Sequence, residues 1–173
     1  ASPVLGQSPP PSVLRPPRLV GRDAEWGILA EGWGTPHAVV LAGVGGMGKT
    51  RLATDFAAAR GAVALVSARP GDELVAYSLL ARLLRVLVAR LRAPLAPGLR
   101  REIARLLPEL GEAEPIRDQA DTSRLLRAVE ALAESLVAEG LEGVVIDDLH
   151  FADAATLEAL RASVLADRRL SRI

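Results

Sequence analysis

A glycine-rich segment carries the strongest chemical signal in the sequence. Residues 43–50 read GVGGMGKT and fit the pattern G-x-x-x-x-G-K-[ST] at every fixed position. Glycines let a backbone wrap closely around phosphate with its N–H groups turned inward, and a helix that follows presents its N-terminus to the same anion. Lys49 can reach the β- and γ-phosphates of a nucleotide, and the Thr50 hydroxyl is the kind of hard oxygen that Mg²⁺ prefers. These residues, called the glycine loop below, therefore predict a nucleotide-phosphate site.

Two consecutive carboxylates supply the second half of the predicted chemistry. Asp147 and Asp148 follow the apolar run 144–146. A carboxylate at the tip of a buried strand can hold Mg²⁺ through water, opposite the phosphates, and we assign this role to Asp147. Asp148 is then the candidate for orienting or polarising the attacking water. We predict that Lys49, Asp147 and Asp148 are catalytic, that Thr50 and Asp147 serve the metal, and that the two segments meet at the carboxyl ends of neighbouring parallel strands.

The elements that must position these groups follow from the apolar periodicity. Short apolar runs bounded by turn residues predict buried strands at 38–42, 62–67 and 144–146. Helical patterns cover 23–31, 50–60, 74–92, 99–107, a stretch capped by Asp121, and a last stretch from a cap at Asp153 to about 166. Residues 1–17 hold six of the twelve prolines and are predicted to be a linker. The alternation predicts an α/β fold with a parallel sheet and helical covers.

Composition excludes several classes of function. The 21 basic residues, of which only Lys49 is lysine, balance 21 acidic ones, and there is no cysteine and only His37 and His150. Zinc ribbons, disulfide scaffolds and cysteine nucleophiles are therefore impossible, and a His-rich metal site is implausible. No apolar stretch is long enough for a membrane span and the N-terminus lacks a signal-peptide pattern, so we expect a cytoplasmic protein without membrane partners.

The histidines and a basic stretch have weaker interpretations. His150 either contacts phosphate or relays a signal, or is a plain residue at a helix entry, and His37 is interpreted as a surface turn residue. Nucleic-acid binding favours a basic patch with interleaved aromatic residues, and aromatic residues are few here. We therefore interpret the basic stretch as a solvated helix face: Arg82, Arg85, Arg90, Arg92, Arg100 and Arg101.

Three segments together resemble one family. RLVGRDAEW (18–26), VVLAGVGGMGKTRLA (39–53) and VVIDDLHFADAATLEAL (144–160) occur in the order and spacing of the ATPase domain of STAND-class regulators, and ARPGDELVAYSLLARLLR (68–85) also matches. This AAA-like, origin-recognition-like module (the AAA 16 type) occurs in large bacterial transcription factors, and the resemblance covers about residues 18–170.

The resemblance implies an ATP/ADP switch with Mg²⁺, built on a three-layer P-loop NTPase fold. It places 20–22 near the adenine and makes 18–173 the N-terminal part of the ATPase domain. It implies attached sensor and DNA-binding domains of the SARP or LuxR type in a longer protein, self-association on ATP binding, and no direct nucleic-acid binding by this segment. The cofactor-binding residues so expected are Val20, Gly21, Arg22, Gly43, Val44, Gly45, Gly46, Met47, Gly48, Lys49, Thr50 and Arg51.

The sequence also departs from the family pattern. Phe151 stands where the family usually has Trp, which is a mild change. In the family a further strand, bearing a polar sensor residue, lies between the strand before the glycine loop and the strand that ends at Asp147. That strand and the helical lid would begin beyond Ile173, so the resemblance implies a fold that is incomplete at its C-terminus. Because the intervening strand is missing, we expect an unfilled gap or abnormal pairing between the two flanking strands. Direct pairing of these strands with normal ladder geometry would contradict the assignment.

Four functions remain to be weighed. The first is a slowly ATP-hydrolysing signalling switch, and the second is a scaffold that holds ADP or ATP without hydrolysis. Asp148, together with the missing sensor residue, separates them, because an Asp is shorter than the Glu that commonly positions water. A GTPase is disfavoured because its base-reading Asn/Thr-Lys-x-Asp motif needs a second lysine, which this chain lacks. A small-molecule kinase would need an acceptor pocket and a closing lid, for which no signature is visible.

Overall fold

The computed structural model describes residues 19–33 and 38–166, with side chains to residue 162. The linker expected at 1–17, Arg18, the turn 34–36, His37 and residues 167–173 lie outside the described residues. The order of elements is α1 Asp23–Gly32, α2 Lys49–Arg60, β1 Val63–Ser67, α3 Ser78–Val88, α4 Pro97–Ala104, α5 Gln119–Ala138, β2 Gly143–Asp147 and α6 Ala154–Ala166.

The two strands form a parallel ladder. Val63 pairs with Gly143 and Ser67 with Asp147, so both strands end at the same edge of the sheet. A parallel pair needs a long crossover, and here α3, α4 and α5 supply it. The small parallel sheet with packed helices agrees with the predicted α/β class. Strands 62–67 and 144–146 are thereby confirmed within one residue.

The strand expected at 38–42 is a wrong prediction. These residues have no strand assignment, and the side chains of Val39 and Val40 are 41% and 76% exposed. A strand requires a neighbour that pairs with its N–H and C=O groups, and an apolar run cannot form one by itself. Instead, residues 38–42 and residues 144–147 border the same cavity of about 1200 Å³. Among the described residues, the segment 38–42 therefore does not pair directly with the strand that ends at Asp147.

The main core lies between the sheet and the long helices. It takes up the apolar stripe of α3 and the inner face of α5, and the following side chains are almost fully buried: Leu79, Leu80, Leu84, Ile103, Leu107, Leu125 and Leu132. Burying one such side chain contributes about 1.5–3 kcal/mol. The apolar side of α3 is thus buried against its own domain.

A smaller core cluster joins α1 to α2. Leu29 packs with Leu52 and Phe56, and the rings of Trp26 and Trp33 meet Phe56 edge-on at centroid distances of 5.1 and 5.4 Å. Such T-shaped pairs place a positive ring edge against a negative ring face. The cluster fixes α1 beside the helix that follows the glycine loop.

Two predicted helices have different bounds in the structure: the helix predicted over 74–92 is Ser78–Val88, and the helix predicted over 99–107 is Pro97–Ala104. The helix predicted over 74–92 begins at Ser78, because a 3₁₀ turn occupies Asp72–Leu74 and Tyr77 has a left-handed backbone with φ of 62°. The Tyr77 N–H donates to Asp153 Oδ1 at 2.7 Å, so a distant carboxylate fixes this start. The next helix begins at Pro97, which lies in its first turn, where a missing N–H costs nothing.

The capping residues were predicted with mixed success. The N-cap of α5 is Asp118 rather than Asp121, because Asp118 Oδ1 accepts the Asp121 N–H at 2.8 Å. Asp121 lies one turn inside, where it accepts the Arg117 N–H. The Asp153 cap is confirmed, since its Oδ1 accepts the Thr156 N–H at 2.8 Å. None of the helices in the described part of the chain is long and apolar enough to cross a membrane.

Candidate functional site

The glycine loop has a backbone that only glycine adopts without strain. Gly46 and Gly48 have φ of 78° and 77°, in the left-handed region, and Gly48 is the N-cap of α2. A side chain at either position would meet no neighbour within 4 Å, so the backbone conformation rather than crowding requires glycine there. The loop therefore turns sharply into the N-terminus of α2.

Lys49 closes the loop on itself. Its Nζ donates to the carbonyl oxygens of Gly43 and Val44 at 2.8 and 2.9 Å. An ammonium group has three N–H donors. Two of them hold it against the loop, and the third can donate to another acceptor. The ammonium is thus held against the backbone of the glycine loop.

The first turn of α2 adds N–H donors and a hydroxyl. Thr50 is exposed in this turn, where backbone N–H groups have no partner within the helix and the helix dipole favours an anion. Arg51 points along the helix, and its Nε donates to Asp55 Oδ2 at 3.0 Å. All three of Lys49, Thr50 and Arg51 border the cavity described above.

The two carboxylates follow β2 directly. The Asp147 carbonyl accepts the Ala68 N–H at 3.0 Å and so continues the ladder, while Asp147 Oδ1 accepts the Asp148 N–H at 3.0 Å. Asp148 has a left-handed backbone with φ of 53° and an exposed side chain. A non-glycine residue in this region is uncommon and marks a sharp change of chain direction. It starts the 3₁₀ turn Leu149–Phe151.

One cavity brings the two halves of the predicted site together. Its wall contains glycines of the loop, Lys49 and Thr50 on one side and Asp147, Asp148 and His150 on the other. His150 is exposed, and its ring lies 4.0 Å from that of Phe151. The predicted catalytic and metal-binding residues therefore share one concave surface.

The segment expected near the adenine lies outside this wall. None of Val20, Gly21 and Arg22 borders the cavity, and Val20 is 82% exposed. Arg22 instead contacts the glycine loop, because its Nη2 donates to the Met47 carbonyl at 2.5 Å. Its Nη1 donates to Glu25 Oε1, also at 2.5 Å. Sequence reasoning missed both partners, although Glu25 at helical spacing i+3 gave a local signal for one of them.

The oxygen donors present fit Mg²⁺. The Thr50 hydroxyl and the Asp147 carboxylate are hard oxygen ligands, and Mg²⁺ is usually held by one or two such groups together with phosphates and water. Across residues 19–33 and 38–166 there is no group of three or more acidic, histidine or cysteine side chains that could form an all-protein metal cage. Thr50 and Asp147 are therefore the two residues of the predicted site whose oxygen atoms fit this ion.

An ion pair between a buried carboxylate and a partly buried guanidinium supports the sheet edge beside the site. Both Nη atoms of Arg82 donate to the Asp72 carboxylate at 2.7 and 2.8 Å, and Nη1 also donates to the carbonyl of Ser67, the pairing partner of Asp147. The hydrogen bonds from Arg82 outweigh burial and hold the pKa of Asp72 well below its usual range. Sequence reasoning placed Arg82 on a solvated face and missed Asp72.

The other residues of the basic stretch are exposed but several have partners. Arg85 Nε donates to Glu109 at 2.6 Å, and Arg90 Nη2 donates to the Val63 carbonyl at 2.8 Å. Arg100 Nε donates to the Leu110 carbonyl at 2.7 Å. Several arginines of this solvated face thus form hydrogen bonds that connect the region of α3 and α4 to neighbouring segments.

Comparison with known proteins gives one match. A family model described as an AAA ATPase domain covers residues 18–171. No curated protein and no solved structure matches the chain.

Proposed function

The chain belongs to the AAA ATPase domain family, and from this premise we propose that it binds ATP and ADP with Mg²⁺ and acts as a slowly hydrolysing nucleotide switch. The observation that carries the proposal is the single cavity that the glycine loop shares with Asp147 and Asp148. Phosphates bind at the loop, and the acidic pair faces them from the end of β2.

Each residue has a distinct role in the proposed reaction. Backbone N–H groups of the loop and the Lys49 ammonium bind the β- and γ-phosphates. Thr50 and Asp147 hold Mg²⁺, which supplies charge neutralisation on the phosphate oxygens when it is bound. Asp148 orients a water molecule for attack on the γ-phosphorus and accepts its proton, so that ADP leaves as inorganic phosphate forms.

Replacing Lys49 tests the binding part of the proposal. Lys49→Ala removes a charge-assisted contact, and we expect affinity for Mg-ATP to fall by about 100-fold, because such contacts contribute about 1.5–3 kcal/mol each. Isothermal titration calorimetry on the 173-residue chain measures this, with Arg127→Ala, an exposed residue of α5, as the matched control. Unchanged affinity in Lys49→Ala would refute the nucleotide site.

Asp148 distinguishes the switch from the non-hydrolysing scaffold. The scaffold is favoured by one observation, namely that the short Asp148 side chain is exposed after a left-handed turn. We expect Asp148→Asn to leave ATP binding unchanged and to lower the single-turnover hydrolysis rate by about 10²–10⁴-fold, the range for general-base catalysis. Equal rates in both proteins would remove Asp148 from the mechanism, and a wild type without turnover would establish the scaffold.

The motif resemblance supports a regulatory output. We propose that the nucleotide state controls self-association and the activity of attached sensor and DNA-binding domains in a longer transcriptional regulator. Sedimentation velocity with ATP, with ADP and with Lys49→Ala tests the first part, because only the ATP-bound wild type is expected to sediment as a larger species.

A further inference from the structure

Arg22 bridges two segments that are far apart in the sequence. Its guanidinium donates to Glu25 in the first turn of α1 and to the Met47 carbonyl in the glycine loop, 25 positions away. Gly21, with φ of 71°, turns the chain immediately before it. The Trp26 and Phe56 rings hold α1 against α2, so the base of the Arg22 side chain is fixed relative to the loop.

The contact determines the direction of one N–H group. Met47 and Gly48 share a trans peptide unit, in which the C=O and N–H bonds point in opposite directions because the unit is planar. Since the Met47 oxygen is held by Arg22, the Gly48 N–H points away from Arg22. Gly48 borders the shared cavity, whereas Arg22 does not.

The same peptide unit is able to rotate if it is released. Rotation would change φ of Gly48 from its value of 77° to a negative one, and glycine accepts both signs without a steric penalty. The Gly48 N–H would then turn away from its present direction. Glycine provides the sharp turn that the loop needs but cannot itself select the peptide orientation.

We propose that Arg22 is a positioning residue that locks the Met47–Gly48 peptide, so that the Gly48 N–H faces the phosphate chain of the nucleotide, and that Glu25 orients Arg22 for this task. The inference rests on the proposed function, since it names how that site is prepared for phosphate. It differs from the adenine contact that the motif resemblance implies for residues 20–22.

A ligand that has phosphates but no nucleobase distinguishes the positioning role of Arg22 from a contact with adenine. We compare Mg-ATP with magnesium tripolyphosphate by calorimetry, using wild type, Arg22→Ala and the control Arg127→Ala. Arg22→Ala is expected to weaken both ligands by the same factor, about tenfold, because both need the Gly48 N–H. Weaker ATP binding with unchanged tripolyphosphate binding would assign Arg22 to the base and overturn the proposal, as would unchanged affinity for both.

Two conservative variants guard against a folding defect. Arg22→Lys keeps one donor for the Met47 carbonyl and is expected to bind both ligands with affinity between those of wild type and Arg22→Ala. Glu25→Gln keeps an acceptor but loses its charge, and a loss of about two- to threefold for both ligands is expected. If circular dichroism shows that Arg22→Ala does not fold, the proposal is tested with Arg22→Lys and Glu25→Gln alone. Wild-type affinity for both ligands in both of these variants would overturn the proposal.

A measurement without ligand separates this proposal from the nucleotide site itself. In ¹H–¹⁵N spectra, the Gly48 amide signal of Arg22→Ala is expected to shift and broaden relative to Arg127→Ala, because the peptide exchanges between two orientations. An unchanged Gly48 signal would overturn the lock even if nucleotide binds. A wild type that binds neither ATP nor tripolyphosphate would refute the proposed function. The Gly48 amide signal would then still show whether Arg22 fixes the orientation of the Met47–Gly48 peptide.

Discussion

At the scale of the residue, the single lysine of the chain occupies the most specific position of the proposed site. Twenty arginines serve elsewhere, yet position 49 inside the glycine loop has the compact ammonium group. That group fits between the Gly43 and Val44 carbonyls, where a planar guanidinium fork with five donors is bulkier and differently shaped. We therefore expect that a positive charge alone is insufficient at this position.

Lys49→Arg tests this argument. We expect its affinity for Mg-ATP to be within about threefold of Lys49→Ala, because the guanidinium keeps the charge but not the geometry. Calorimetry of the two variants under the same conditions gives the comparison. An affinity close to that of wild type would show that charge suffices and that the lysine is exchangeable.

The loop residues could be predicted from the sequence because their pattern is local and contiguous. Gly43, Lys49 and Thr50 lie within eight consecutive positions, and the motif itself states their spacing. The Arg22 contact to Met47 could not be predicted, since it depends on how α1 packs against α2. A contact across 25 positions is a tertiary property, whereas the motif is a property of the chain.

At the scale of the element, the Asp72–Arg82 pair joins three pieces of backbone. Asp72 lies in a 3₁₀ turn, Arg82 in α3, and the Ser67 carbonyl at the end of β1. Ser78 Oγ and the Arg69 N–H also donate to the Asp72 carboxylate, so all its acceptors have partners. The cluster therefore depends on Asp72 being ionised.

This dependence predicts a pH effect on stability. Since the folded-state pKa of Asp72 is lowered, chiefly by hydrogen bonds from Arg82, its contribution is present above the unfolded pKa of about 4 and is lost as pH falls below it. Asp72→Asn should destabilise the protein at pH 7 and reduce the slope of stability against pH below about 4. Urea unfolding from pH 7 to pH 3 measures both effects.

The surface pair Arg85–Glu109 supplies a matched control for that experiment. Both side chains are about half exposed, so solvent screens the pair and Glu109→Gln should change stability much less than Asp72→Asn. If Asp72→Asn and Glu109→Gln give the same acid slope, the Asp72–Arg82 pair does not account for it.

Helices and strands could be predicted from the sequence where their own residues determine the local structure. Helix α2 and strand β2 were found because a motif or a buried apolar run marks them. The strand expected at 38–42 failed because strand formation depends on a neighbour, and the start of α3 failed because Asp153, 76 positions from Tyr77, fixes it. In both cases the local sequence pattern does not contain the tertiary contact that determines the element.

At the scale of the whole molecule, the proposed nucleotide binding predicts an effect on stability. A ligand that binds only the folded state at 100 times its dissociation constant adds about 2.7 kcal/mol. We expect Mg-ATP at that ratio to raise the melting temperature of wild type and of Arg127→Ala by several degrees, and not that of Lys49→Ala. Differential scanning calorimetry measures the shift, and an equal shift in all three would indicate binding elsewhere.

The division of the core into two clusters has an optical consequence. Both tryptophans of the chain, Trp26 and Trp33, lie in the small cluster on Phe56, and neither belongs to the leucine-rich main core. Tryptophan emission therefore reports the junction of α1 with α2, while far-ultraviolet dichroism reports all helices. The same pair of signals shows whether the junction melts together with the rest of the molecule, because coincident curves mean one cooperative unit and separate curves mean two.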